Sequence, residues 1–240
     1  MTSFRCNLWS SPRNLSTALM YSFAQRPDTV VLDEPLYAHY LANQPTDAVH
    51  PGREEILASQ ENDGEQVVEN LLFGDFGKPL LICKQMTHHL VNLNLDFVFQ
   101  MQNVLLIRDP RAILASFAKV IEQPTALDIG LPQQWRLYEI LKQRRRPLII
   151  VDATRLRQDP EDQLSQLCHR LGFNFDLDML QWEAGPRSED GVWAKYWYAG
   201  VHQSTGFKPP EPRELNLTTA QEKIAGQYEP IYRALLEKAI

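Results

Sequence analysis

Five short apolar runs punctuate the chain, at residues 4–9, 29–32, 80–83, 104–107 and 147–152. Each is bounded by polar or turn-forming residues and is short for a helix, so each predicts a buried strand. Between them the hydrophobic period changes to that of a helix. Helices are predicted over 15–25, 66–73, 112–120, 132–145, 159–171 and 218–238. In the first, Leu15, Leu19, Ser22 and Phe23 share one side; in the fourth, Trp135, Tyr138 and Leu141 do. Pro27-Asp28 stops the first helix, and Gly172 stands where a helix C-cap belongs. Two stretches break the pattern. Residues 43–64 are polar, with Pro45, Pro51 and Gly52, and predict a long excursion or lid carrying a short helix over 54–60. Residues 182–213 are irregular, dense in aromatics over 193–200, and then run Ser204-Thr205-Gly206-Phe207-Lys208. Strand–helix alternation predicts one three-layer α/β domain over 1–240. Its central five-stranded sheet is mainly parallel and covered by helices on both faces.

Composition narrows the function. The 240 residues are 44% hydrophobic and 22% charged, ordinary for one globular domain. The formal charge of −6 argues against a general nucleic-acid or membrane-surface binder, so an anionic ligand would need cations gathered in a cleft. Cys6, Cys83 and Cys168 are scattered and odd in number, which fits neither a disulfide framework nor a zinc site. With no apolar leader and no run long enough to span a bilayer, the expectation is a reduced, cytoplasmic protein. No Asp/His cluster suggests a metal.

The candidate chemistry follows the strands. After the first comes Ser10-Ser11-Pro12-Arg13-Asn14-Leu15-Ser16-Thr17, a polar loop opening into a helix. Such a turn aims backbone N–H groups and the helix dipole at one point, an anion site. Arg13 adds a forked cation, and Ser16 and Thr17 add hydroxyls. The geometry implied is a phosphate-binding loop, without the glycines or the Gly-Lys-Ser/Thr of the usual one. Asp33-Glu34 follows the second strand, Lys84 the third, and Arg108-Asp109-Pro110-Arg111 the fourth. Ser116 lies eight residues beyond Arg108, in the next helix. In parallel sheets the ligand cleft lies at the strands' C-terminal ends, so Arg13, Glu34, Lys84 and Arg108 are expected to converge on a multiply anionic substrate. His88 and His89 stand nearby as an adjacent pair without metal-ligand spacing.

These residues resemble the sulfotransferases that use 3′-phosphoadenosine 5′-phosphosulfate. Ser11, Arg13, Asn14, Leu15, Ser16 and Thr17 resemble that family's loop for the 5′-phosphosulfate, with Arg13 where many members have lysine. Arg108 with Ser116 is similar to its 3′-phosphate motif, and Lys84, twenty-four residues earlier, falls where the family often has Lys-Thr-His. Ser204, Thr205, Gly206 and Phe207 correspond to its C-terminal cofactor loop, without the common Arg-Lys-Gly wording. Met86 occupies the place of the usual histidine base. The resemblance therefore implies Glu34 as general base, with His88 as the alternative, and Arg13 and Lys84 holding charge on the leaving group. It implies a P-loop NTPase-like fold, the phosphosulfate as donor, no metal, and a small-molecule hydroxyl or amine as acceptor. Two other readings stay open: a nucleotide kinase, and a non-catalytic binder of phosphoadenosine nucleotides.

Overall fold

The computed structural model describes residues 2–43, 50–117, 129–210 and 215–240. Five strands, β1 (Phe4–Ser10), β2 (Thr29–Asp33), β3 (Leu80–Met86), β4 (Gln102–Ile107) and β5 (Ile149–Asp152), form one sheet. Their order is β2-β3-β1-β4-β5, and all four pairings are parallel rather than mainly so. The helices are α1 (Ser16–Ala24), α2 (Tyr37–Asn43), α3 (Arg53–Ser59), α4 (Gly64–Val67), α5 (Asp96–Gln100), α6 (Pro110–Phe117), α7 (Leu131–Gln143), α8 (Ala153–Gln158), α9 (Pro160–Leu171), α10 (Ala194–Trp197), α11 (Ala199–His202) and α12 (Thr219–Leu236).

Period-2 alternation in the central strands builds the three layers. Trp9, Leu81, Cys83, Leu105 and Ile107 enter one core with residues of α6, α7 and α12. Their neighbours Leu8, Ile82, Val104 and Leu106 enter the other with α1 and α9. Because both faces are covered, β3 is buried at every position. A third cluster lies apart: Tyr37, Ala38 and Leu41 of α2, Ile56 of α3, and Trp193, Ala194 and Tyr198. It packs the described part of the 43–64 excursion against the aromatic segment.

Several expectations shift. The third strand continues three residues past Cys83, so Lys84 sits inside β3, paired with Leu8 and Asp33, and does not follow the strand. The run of seven buried positions explains this, since polar Lys84 and Gln85 find partners or burial inside the fold. Helices α2 and α5 appear where no period was legible, each being only a turn or two long. The 66–73 helix begins as α4 and runs on as a π-helical turn over Val68–Leu72. Gly172 caps α9 with φ 90°. Parts of three expected elements, 44–49 of the excursion, 118–120 of the helix expected over 112–120 and 211–213 of the aromatic segment, lie outside the described residues.

Candidate active site

Chain order and sheet order diverge at β1, which lies between β3 and β4 while its own crossover leads to β2. That switch point opens a crevice above the C-terminal strand ends. A cavity of about 1090 Å³ fills it. Residues 12–18, Glu34, Lys84, His88, Arg108 and Ser116 all line it.

The loop after β1 is tightly curled. Arg13 and Leu15 have φ of 61° and 65°, the left-handed region that costs a non-glycine residue about 1–2 kcal/mol. Leu15 is the N-cap residue of α1 and offers no side-chain cap, so the first-turn N–H groups stay available to a ligand. Ser16 is buried at this helix start. Asn14 anchors the loop: its Nδ2 donates to the carbonyl of Leu106, at the end of β4, at 2.5 Å. Gln134 Nε2 donates to the same carbonyl at 2.8 Å, tying α7 to this corner. Gly130 holds α7 close, in a left-handed conformation at φ 67° with no room for a side chain; a Cβ there would lie 2.5 Å from Ser11 Cβ.

The two arginines meet. Arg108 Nη1 donates to the Arg13 carbonyl at 2.5 Å, and Arg13 Nε donates to Ser116 Oγ at 3.1 Å. Neither forms an ion pair among the described residues. Burial lowers the pKa of both, that of Arg108 to about 10, with Arg157 and Arg13 adding repulsion. Both still carry full charge at neutral pH. Arg157, on α8, donates to the carbonyls of Lys208 and Pro209 at 2.7 and 2.9 Å and adds a third positive charge near Arg108. Arg13 and Arg108, neither of them ion-paired among the described residues, offer an anion two forked cations, with Asp109 and Asp152 tempering the charge of Arg108.

The other wall carries the carboxylates. Glu34 sits just past β2 at φ 43°, and is buried. Lys84 Nζ bonds to Glu34 Oε1 at 2.6 Å, Asp33 Oδ1 at 2.7 Å and the Tyr198 hydroxyl at 2.6 Å. Burial pushes the Glu34 pKa up; the Lys84 charge offsets part of that, and Asp33 adds to it. Burial alone would drain the charge of Lys84, but Asp33 and Glu34 more than restore it and hold its pKa well above that of an ordinary lysine. His88 is half-buried and edge-on to Tyr40; burial, then His50, lowers its pKa to about 3, so it stays neutral. His89 is stacked between Tyr37 and Tyr40, with ring centroids 4.8 and 4.9 Å away, and its Nε2 lies 3.9 Å from Glu34 Oε2.

Ser204, Thr205, Gly206 and Phe207 lie away from this cavity. Gly206 bridges Gln181, Phe207 packs edge-on against Trp182 at 5.1 Å, and Trp182 Nε1 donates to Ser204 Oγ at 3.2 Å. Thr205, Gly206 and Phe207 instead border a separate shallow pocket beside α9. From the aromatic segment, Trp193, Trp197, Tyr198, Gly200 and Val201 reach the cavity. Asp33 and Tyr198 were not singled out as site residues. The signal for Asp33 was its place beside Glu34; the aromatic run held Tyr198 without distinguishing it. Among the described residues, no group of three His, Cys, Asp or Glu side chains is placed to hold a metal ion. None of their helices is long and apolar enough to cross a membrane.

A family model described as a sulfotransferase domain matches residues 4–239. The chain belongs to this sulfotransferase-domain family. It is 41% identical over 228 residues to branched-chain-amino-acid aminotransferase-like protein 1 of Arabidopsis thaliana, and 41% identical over 229 residues to protein 2 of that name. Each match covers 95% of this chain but only 40% of the relative, so the chain spans less than half the length of either. Solved sulfotransferases share the fold. The sulfotransferase of Alicyclobacillus acidocaldarius aligns with TM-score 0.61 at 14% identity, covering 100% of this chain and 98% of that one. The sulfotransferase domain of the Synechococcus PCC 7002 olefin synthase aligns with TM-score 0.56 at 20% identity, over 95% and 96%. Mouse sulfotransferase SULT7A1, solved in complex with PAP, aligns with TM-score 0.54 at 12% identity, over 99% and 91%.

Proposed function

We propose that this sulfotransferase domain moves a sulfuryl group from 3′-phosphoadenosine 5′-phosphosulfate to a hydroxyl or amine of a small-molecule acceptor. One observation carries the reading. The β1–α1 loop and the β4–α6 corner are joined through Arg108 to Arg13 and Arg13 to Ser116, at 2.5 and 3.1 Å, beside an uncapped helix start. Two arginines without an ion-pair partner among the described residues, on adjoining loops of one cavity, suit a ligand with anionic groups at two points. The PAP complex among the structural neighbours supports a donor of this type.

In this reading the loop N–H groups, Ser16 and Arg13 hold the 5′-phosphosulfate, and Arg108 with Ser116 holds the 3′-phosphate. Glu34 takes the acceptor's proton. The electron pair freed at the acceptor oxygen forms the new O–S bond. The S–O bond to the 5′-phosphate breaks, and its electrons leave on that phosphate oxygen. Negative charge therefore grows where Arg13 and the helix start point, so these donors bind the transition state better than the ground state. Glu34 suits the role of base because burial raises its pKa toward the working pH. The cavity, at about 1090 Å³, exceeds the 300–1,000 Å³ of an ordinary single-ligand pocket, which leaves room for an acceptor beside the nucleotide.

The test is calorimetry with adenosine 3′,5′-bisphosphate and with ATP, followed by sulfate transfer from labelled donor to a panel of phenols, alcohols and amines. Binding of the bisphosphate with transfer to at least one acceptor is expected. Preference for ATP would make the domain a kinase, and binding without turnover on any acceptor would make it a sensor.

A further inference from the structure

Lys84 has three N–H bonds to give, and all three are given inside the protein. They go to Asp33, Glu34 and Tyr198 at 2.7, 2.6 and 2.6 Å, and the lysine side chain is 0% exposed. The Tyr198 hydroxyl is equally spent. It donates to the Asp33 carboxylate, with oxygens at 2.9 and 2.8 Å, and accepts from Lys84 and from Trp193 Nε1 at 3.0 Å. Asp33 Oδ2 also accepts from the backbone N–H of Gly191 at 3.1 Å. No N–H of Lys84 remains for a sulfuryl oxygen. Among the described residues one acceptor in the group does remain: Glu34 Oε2, 3.9 Å from His89 Nε2 and so beyond hydrogen-bond reach of it.

We propose that Lys84 and Tyr198 are positioning residues that act through Glu34, clamping its Oε1 so that Oε2 is the oxygen presented to the acceptor. This rests on the reading of Glu34 as base. It replaces a direct contact between Lys84 and the migrating group. The physical reason is the cost of a buried carboxylate, which must be met by a nearby opposite charge and well-formed hydrogen bonds. Among the described residues Lys84 is the one cation facing Glu34. The other groups around it are Asp33 at the end of β2, Tyr37 from α2, His89 after β3, and Tyr198 from the aromatic segment. One cation among two carboxylates leaves the group short of positive charge, which keeps Glu34 basic. Tyr198, together with the Gly191 N–H, brings the aromatic segment down onto Asp33, so docking of that segment and completion of the base are one event.

Two readouts on the whole chain test this. The first is the carboxyl titration of Glu34 in the free protein, followed by NMR with labelled glutamate and assigned through Glu34→Gln. The second is the pH profile of kcat/KM. Tyr198→Phe is expected to move both the titration and the low-pH limb upward by about half a pH unit or more, and Lys84→Met further, because each removes a group that favours the carboxylate. Bisphosphate affinity should stay within about twofold in both, since neither residue touches the nucleotide loops in this account. Unmoved titration in Tyr198→Phe overturns the proposal. So does a Lys84→Met protein whose rate drops equally at every pH, the mark of a lost contact with the sulfuryl group. Should Lys84→Met fail to fold, Tyr198→Phe decides. If the wild type binds no bisphosphate, the donor reading fails, while the Glu34 titration still judges the clamp.

Discussion

Arg13 and Arg108 lie within one hydrogen bond of each other, yet their proposed tasks are separable. Arg13 faces the bond that breaks, so Arg13→Ala should lose about 10²–10³ in kcat, the range for removing one preorganised donor. Arg108 holds the far phosphate, so Arg108→Ala should weaken bisphosphate binding by roughly 10–100-fold, the worth of a lost hydrogen bond to a charged group. Steady-state kinetics beside calorimetry separate the two; equal, small effects would remove both assignments. Glu34→Gln should lower kcat by about 10²–10⁴. Because the folded protein raises the Glu34 pKa, wild-type kcat/KM should fall, as pH drops, at a pH above the ordinary glutamate range. His88 titrates the other way. Its folded pKa of about 3 lies below the unfolded value near 6.5, so the unfolded chain takes up the proton first. That contribution to stability is complete above about 6.5 and is lost as pH falls toward about 3. His88→Phe keeps the ring against Tyr40 and should flatten the decline of Tm across this window. At this scale the sequence was legible where a residue's neighbours in the chain are also its neighbours in space, as in the loop at 11–17. Asp33 and Tyr198 were not, because their meeting spans 165 positions and no local pattern marks it.

Elements explain why the site holds its shape. The β1–α1 loop contains two left-handed non-glycine residues, and it keeps them because outside elements brace it: β4 through Leu106, and α7 through Gln134 and Gly130. Gly130→Ala should therefore act at a distance. The left-handed backbone costs about 1–2 kcal/mol and the clash with Ser11 about 1–3 kcal/mol more. Tm should drop, and bisphosphate affinity should weaken although residue 130 carries no ligand group. Unchanged affinity in a folded Gly130→Ala protein would show that α7 does not set the loop. All five strands were readable from apolar runs, and the longer helices from their period. The end of β3 was not, because Lys84 and Gln85 look like a polar stop and are in fact buried, the lysine neutralised by Asp33 at the end of β2 and Glu34 just past it. The short helices α2 and α5 escaped for a simpler reason: a period needs more residues than they have. Ser204–Phe207, expected over the nucleotide by resemblance, instead pair with 181–182, where Trp182 supplies the packing partner that a local reading cannot supply.

At the scale of the molecule, a sheet buried on both faces fixes where ligands can go. Strand order β2-β3-β1-β4-β5 puts the switch point beside β1, and both arginine-bearing loops open there. The domain class and the convergence of Arg13, Glu34 and Arg108 were legible from alternation alone, since parallel topology sends every strand's exit to one edge. The rest of the cavity wall was not, since it is assembled from the excursion, the aromatic segment and α7, which no period connects. A net charge of −6 spread over the chain, set against two cavity arginines with no ion pair among the described residues, makes selective anion binding the central claim. The most direct measurement is titration calorimetry of adenosine 3′,5′-bisphosphate into the wild type and Arg108→Ala, with ATP as competitor. One site per chain is expected, with at least about tenfold weaker ATP binding and marked loss of affinity in the variant. No heat with the bisphosphate, or ATP bound equally well, would contradict it.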